Sequence, residues 1–130
     1  MKRLTFAVLG FFLSTSFAAA DPIYGLWQTI PDDNGNFGHI NVQDCDGTIC
    51  GILVKSFDAA GKSVESENIG KSIIWNMKAK GSGKYGGGKS WAPDRDKTYA
   101  SKLVLEGDKL KVSGCVFVIC RDGGTWMRVE

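Results

Sequence analysis

The sequence predicts an all-β chain, one small antiparallel up-and-down barrel of about eight strands. Three observations carry that prediction. Apolar and polar residues alternate over short runs, as in His39-Ile40-Asn41-Val42, while helical spacing is scarce. Clusters of Gly, Asn and Asp punctuate the runs as turn signals. The length suits one domain with one core, and closing the sheet removes its exposed edges.

The chain opens MKRLTFAVLGFFLSTSFAAADP. Lys2 and Arg3 precede an apolar run from Leu4 to Leu13, and Ala18-Ala19-Ala20 supplies small residues before Asp21-Pro22. This is the layout of a secretory leader, residues 1–20, cleaved after Ala20. The apolar run is too short to span a bilayer, and no later stretch is long and apolar enough to do so. Residues 21–130 are then expected to be a single exported domain, periplasmic or secreted. Loss of Lys2 and Arg3 takes the basic count from 16 to 14, equal to the 14 acids. A formally neutral domain gives no electrostatic case for nucleic acid.

Strands are expected at 24–30 (YGLWQTI), 37–44 (FGHINVQD), 49–55 (ICGILVK) and 72–79 (SIIWNMKA). Four more follow at 84–91 (KYGGGKSW), 98–106 (TYASKLVLE), 109–119 (KLKVSGCVFVI) and 124–129 (GTWMRV). Gly107-Asp108 suits a two-residue hairpin loop. That register sets Glu106 opposite Lys109, Leu105 opposite Leu110 and Leu103 opposite Val112. Asn34-Gly35 marks a turn, and a short helix is expected around 64–68 in the longest polar connection.

All four cysteines, Cys45, Cys50, Cys115 and Cys120, lie in the exported part, which reads as two disulfides rather than a zinc site. Five steps along a strand span about 17 Å, whereas bridged Cα atoms lie within about 7 Å. Local pairs 45–50 and 115–120 therefore each need a bend. Asp46-Gly47 offers one; CVFVIC offers none. Local pairing is preferred, and cross-pairing of Cys45 with Cys120 and Cys50 with Cys115 is the alternative.

Residues 83–90, GKYGGGKS, match the spacing of a phosphate-binding loop. Such a loop needs a helix to begin at once, and the next residues, WAPDRD, place Pro93 inside it. No nucleotide site is expected, and the glycines are read as a bulged strand. DDNGN (32–36) lacks the spacing and the distal Glu of a calcium loop and reads as a turn. Asp94 and Asp96 read as turn residues. His39, the single histidine, has no evident nucleophile or orienting partner, so no catalytic residue, metal site or cofactor is expected.

Trp27, Trp75, Trp91 and Trp126 all fall on expected strands. Most such side chains pack a core. Trp75, Trp91 and Tyr99 are the candidates for the wall of a cavity that holds a small ligand.

Gly25-Leu26-Trp27 resembles the G-x-W of the first strand in lipocalin-like, or calycin, barrels. Arg128 resembles the basic residue that packs over that Trp. The resemblance implies that Gly25, Trp27 and Arg128 close one end of the barrel, with a cation–π contact as its physical content. The chain also resembles the uncharacterised bacterial family called domain of unknown function 2147. Gly25-x-Trp27, Cys45 with Cys50-Gly51-x-Leu53, Trp91-x-Pro93-Asp94 with Lys97-x-Tyr99, Gly114-Cys115, and Cys120-Arg121 before Thr125-Trp126-x-Arg128 carry that likeness. It implies an exported, lipocalin-like barrel and transfers no activity. Ser90-Trp91-Ala92-Pro93 departs from the aliphatic–aromatic–Asp–Pro run expected there.

The function expected is non-catalytic binding of a small apolar or amphiphilic ligand in the barrel. An envelope interaction module with a filled interior is the alternative. The two differ in whether the interior is hollow.

Overall fold

The computed structural model describes residues 20–130. The leader assigned to residues 1–20 therefore lies, but for its last residue, outside the described residues. Among the described residues nine strands run β1 (Gly25–Gln28), β2 (Phe37–Cys45), β3 (Thr48–Phe57), β4 (Ser63–Val64), β5 (Ser72–Gly81), β6 (Lys84–Ala92), β7 (Lys97–Glu106), β8 (Lys109–Val116) and β9 (Ile119–Arg128). Every pairing is antiparallel. Following hydrogen-bonded neighbours gives β1-β2-β3-β5-β6-β7-β8-β9 and back to β1, a closed barrel of eight strands. The two-residue β4 pairs with the far end of β3.

Alternation in sequence becomes an inward face. Paired residues on neighbouring strands share a face. Trp27 pairs with Ile40 and Ile40 with Leu53; Tyr85 pairs with Leu103, Leu103 with Val112, and Leu110 with Trp126. All eight belong to one buried cluster. The β7–β8 hairpin has the expected register, Glu106 opposite Lys109 and Leu105 opposite Leu110.

One end of the barrel is closed by residues 21–24 and the C-terminal strand. Trp27 is wholly buried, and its indole N–H donates to the Ile23 carbonyl at 2.9 Å. Arg128 stands over the Trp27 ring and donates to the carbonyls of Tyr24 (3.1 Å) and Pro22 (2.7 Å) and to Asp108 (3.1 Å). Gly25, with φ 135°, lies where a Cβ would collide with the Glu130 carbonyl. The Tyr85 phenol, buried in the core, donates to the Asp21 carboxylate. Burial first, then that hydrogen bond, pushes the phenol well above its ordinary range.

Three expectations need correction. No helix forms at 64–68. Ser63 and Val64 make β4, and a turn follows in which Ile69 N–H reaches the Ser66 carbonyl (3.3 Å) and Lys71 N–H the Asn68 carbonyl (3.0 Å). The tract is too short and too polar to hold a helix by packing one face. Second, no strand crosses 109–119 unbroken. CVFVIC folds back at Phe117-Val118, so that Val116 pairs with Ile119 and Cys115 with Cys120. Strand propensity misleads here because these apolar side chains cover no core. Third, β9 accordingly starts at Ile119 rather than 124.

Bridges join Cys45 to Cys50 and Cys115 to Cys120, with Cα atoms 5.8 and 4.0 Å apart. Each spans a hairpin tip, β2–β3 at the closed end and β8–β9 at the open end.

Gly86, Gly87 and Gly88 of GKYGGGKS lie in β6, and Gly83 lies in the turn before it. Gly88 packs against the β5 backbone, where an added Cβ would sit 2.8 Å from Asn76 C and Met77 N. A bulge between Tyr85 and Gly88 accompanies this approach. The motif is a close approach of β6 to its neighbour β5, and no helix follows it.

Candidate binding cavity

Core side chains fill the barrel toward the closed end, and toward the other a cavity of about 1110 Å³ opens to solvent. Its floor is the top of the core: Ile40, Leu53, Ile73, Val112 and Trp126 belong to both. The filled core and the open cavity thus lie toward opposite ends of the interior. Apolar floor beneath polar rim is the general layout of small-molecule sites.

Above the floor, Ser90 and Tyr99 are paired neighbours on β6 and β7, and both line the wall. Gly114 on β8 leaves room for the Tyr99 ring, whose Cγ would be 3.2 Å from an added Cβ. Trp91, at the end of β6, lines the cavity and packs on the core cluster. Its indole N–H donates to Asp96 at 2.9 Å, and the Lys71 ammonium lies 5.6 Å from its ring centroid. Asp96 thus serves the Trp91 turn rather than a carboxylate pair.

At the mouth, Phe37 and Phe57 face each other across β2 and β3, stacked with centroids 4.9 Å apart. The β1–β2 turn flanks them, and Asp32 Oδ1 accepts from the backbone N–H of Asn34 and Asn36, both at 2.9 Å. The carboxylate is committed to the turn rather than to a cation. The charged lining is Asp32, Asp33, Glu65, Asp94 and Asp122 with Arg95 and Arg121.

Of the three expected wall residues, Trp91 and Tyr99 line the cavity and Trp75 does not. Trp75 pairs with the exposed Lys89, which puts it on the outer face. The deviation of β5 at Asn76 (φ 55°) and its register shifts hide that orientation from simple alternation. The reading of the sequence missed the floor residues and the β8–β9 tip. Trp126 was visible as an aromatic on a strand, and pairing it with Leu110 is what turns it inward.

His39 points away from the cavity. Its Nε2 lies 3.1 Å from Gln28 Oε1, its ring 4.6 Å from Phe57, and Lys55 is its paired neighbour. Partial burial first, then the Lys55 charge, lowers its pKa below 6.5. No hydroxyl or carboxylate stands next to it in these contacts. Among the described residues, no three His, Cys, Asp or Glu side chains gather as metal ligands.

A family model described as an uncharacterized protein conserved in bacteria, DUF2147, matches residues 25–128. None of the curated proteins matches the sequence. Among solved structures, the chain is similar to protein HP1028 of Helicobacter pylori, described as belonging to the lipocalin family. The TM-score is 0.61 at 17% identity, over 82% of each chain. At that identity the likeness is one of fold.

Proposed function

The chain belongs to the uncharacterized bacterial family DUF2147, and on that premise we propose that it is a non-catalytic binding module for a small apolar or amphiphilic molecule. The ligand enters the open end of the lipocalin-like barrel. The observation that carries this reading is the cavity itself: about 1110 Å³, floored by Trp126, Leu53 and Val112 and rimmed by polar groups. An apolar tail on that floor leaves water, while a polar end stays at the rim among Ser90, Trp91 and Tyr99.

The reading includes export to the periplasm. The leader pattern of residues 1–20 and two cysteine bridges support it, because disulfides persist in oxidising compartments.

The test is a titration of the purified protein with single-chain amphiphiles bearing neutral, anionic and cationic heads, read by tryptophan fluorescence. Saturable binding of at least one class, with 1:1 stoichiometry by native mass spectrometry, is expected. No saturable binding by any of them would overturn the proposal.

A further inference from the structure

The tip of the β8–β9 hairpin stands at the rim of the cavity with its apolar side chains largely in water. Val116, Phe117, Val118 and Ile119 are consecutive there, and Phe117 and Val118 are 97% and 95% exposed. Val116 and Ile119 below them are more than half exposed. Water-facing apolar groups on this scale mark a surface that meets something apolar.

We propose that this tip is a membrane-docking element. It inserts its apolar side chains into the surface of a zwitterionic phospholipid bilayer and sets the cavity mouth against the lipid.

Four observations lead there. First, the exposed large apolar residues gather at one end. Six of the ten among the described residues (Ile30, Val64 and the four at the tip) line the cavity mouth. Second, the tip is small. Four side chains offer on the order of a few hundred Å², against about 800 Å² per partner in a stable protein interface. That area is too little to hold a second copy, yet enough to partition into a bilayer interface, where each buried apolar side chain contributes by itself.

Third, the tip is held in shape without a core. Cys115 and Cys120 bridge directly beneath it, so the turn stays folded with its side chains in water. Ordering the tip on insertion then costs little. Fourth, the charges nearby select the lipid. Five carboxylates and two guanidiniums line the mouth, which disfavours an anionic surface. Apolar burial is therefore the driving force, and it is insensitive to salt.

The experiment is co-sedimentation of the oxidised protein with vesicles of phosphatidylcholine alone and of phosphatidylcholine with phosphatidylglycerol. The protein is expected to pellet with phosphatidylcholine vesicles, to remain bound at high salt, and to bind the anionic mixture no better. The double variant Phe117→Asp/Val118→Asp should lose at least about tenfold in partition. Val54→Asp, an exposed apolar position of β3 outside the cavity mouth, should bind as before. Circular dichroism checks that each variant is folded, and Phe117→Ser/Val118→Ser replaces the Asp pair if it is not.

The inference is overturned if the unaltered protein stays in the supernatant, or if the tip variants pellet equally well. It is likewise overturned if binding needs phosphatidylglycerol and vanishes with salt, or if the tip instead builds a dimer that these variants dissolve. Docking is read apart from ligand uptake. A protein that docks but takes up no amphiphile would sink the binding function and leave this inference standing.

Discussion

The guanidinium carbon of Arg128 lies 4.3 Å from the centroid of the Trp27 ring, joining the last strand of the barrel to the first. The same side chain donates to two carbonyls of the N-terminal segment and to Asp108. One residue therefore holds the closed end from both chain termini.

Arg128→Ala removes the cation–π contact and leaves two backbone carbonyls short of a donor. A loss of about 2–4 kcal/mol in unfolding free energy is expected from urea denaturation. Arg128→Lys should recover only part, because an ammonium does not reproduce the planar fork. A loss below about 1 kcal/mol for the Ala variant would show that the closed end stands without Arg128.

Tyr85 is predicted to make the fold sensitive to alkali. Its folded pKa is raised above 10, so the folded state favours the protonated phenol. That stability is fully present below pH 10 and is lost as pH rises toward the folded value. Tyr24, also raised by burial and then by Asp44 and Asp21, adds in the same direction. Tyr85→Phe should flatten the fall in denaturation midpoint above pH 10. An unchanged slope would place the alkaline sensitivity elsewhere.

Gly88→Ala pushes a methyl group into the β5 backbone at Trp75 and Met77. A backbone cannot yield as a flexible side chain does, so about 2 kcal/mol or more should be lost. Gly86→Ala meets nothing nearer than Lys80 Cε at 3.7 Å and should cost less than about 1 kcal/mol. Equal losses at the two positions would remove the case for a close backbone approach at Gly88.

Trp91→Ala and Tyr99→Ala are each expected to weaken amphiphile uptake by roughly three- to thirtyfold, through lost apolar contact. Trp75→Ala, on the outer face, should leave uptake unchanged. Displacement of a fluorescent fatty-acid analogue reads all three. Weakening by Trp75→Ala alone would place the ligand outside the barrel.

His39 should titrate below 6.5 by NMR, and Lys55→Ala should move its midpoint part of the way back. With the folded pKa depressed, the associated stability is present above pH 6.5 and is lost as pH falls through the folded value. A midpoint at or above 6.5 would contradict the partial burial of the ring.

The candidate site was only partly legible. Tyr99 and Trp91 were found as aromatics on strands, and both line the cavity. Trp75 carries the same signal yet faces outward, because a local deviation at Asn76 changes what alternation implies. The short helix expected at 64–68 is instead the end of β4 and a turn, since the tract is too short and too polar to bury one face of a helix.

What the sequence alone determined is the strand pattern, the Gly107-Asp108 hairpin with its register and the closed sheet of eight strands, together with the family. These follow from local alternation, turn chemistry and an ordered set of residues, all written within short stretches of chain. Tertiary structure alone decided that the barrel is filled at one end and hollow at the other, and that Phe117 and Val118 crown a hairpin instead of crossing a sheet. The first depends on which residues meet across strands far apart in the chain, and the second on whether a core lies beside the run. A run of apolar letters has the same propensity whether its neighbours are a core or water.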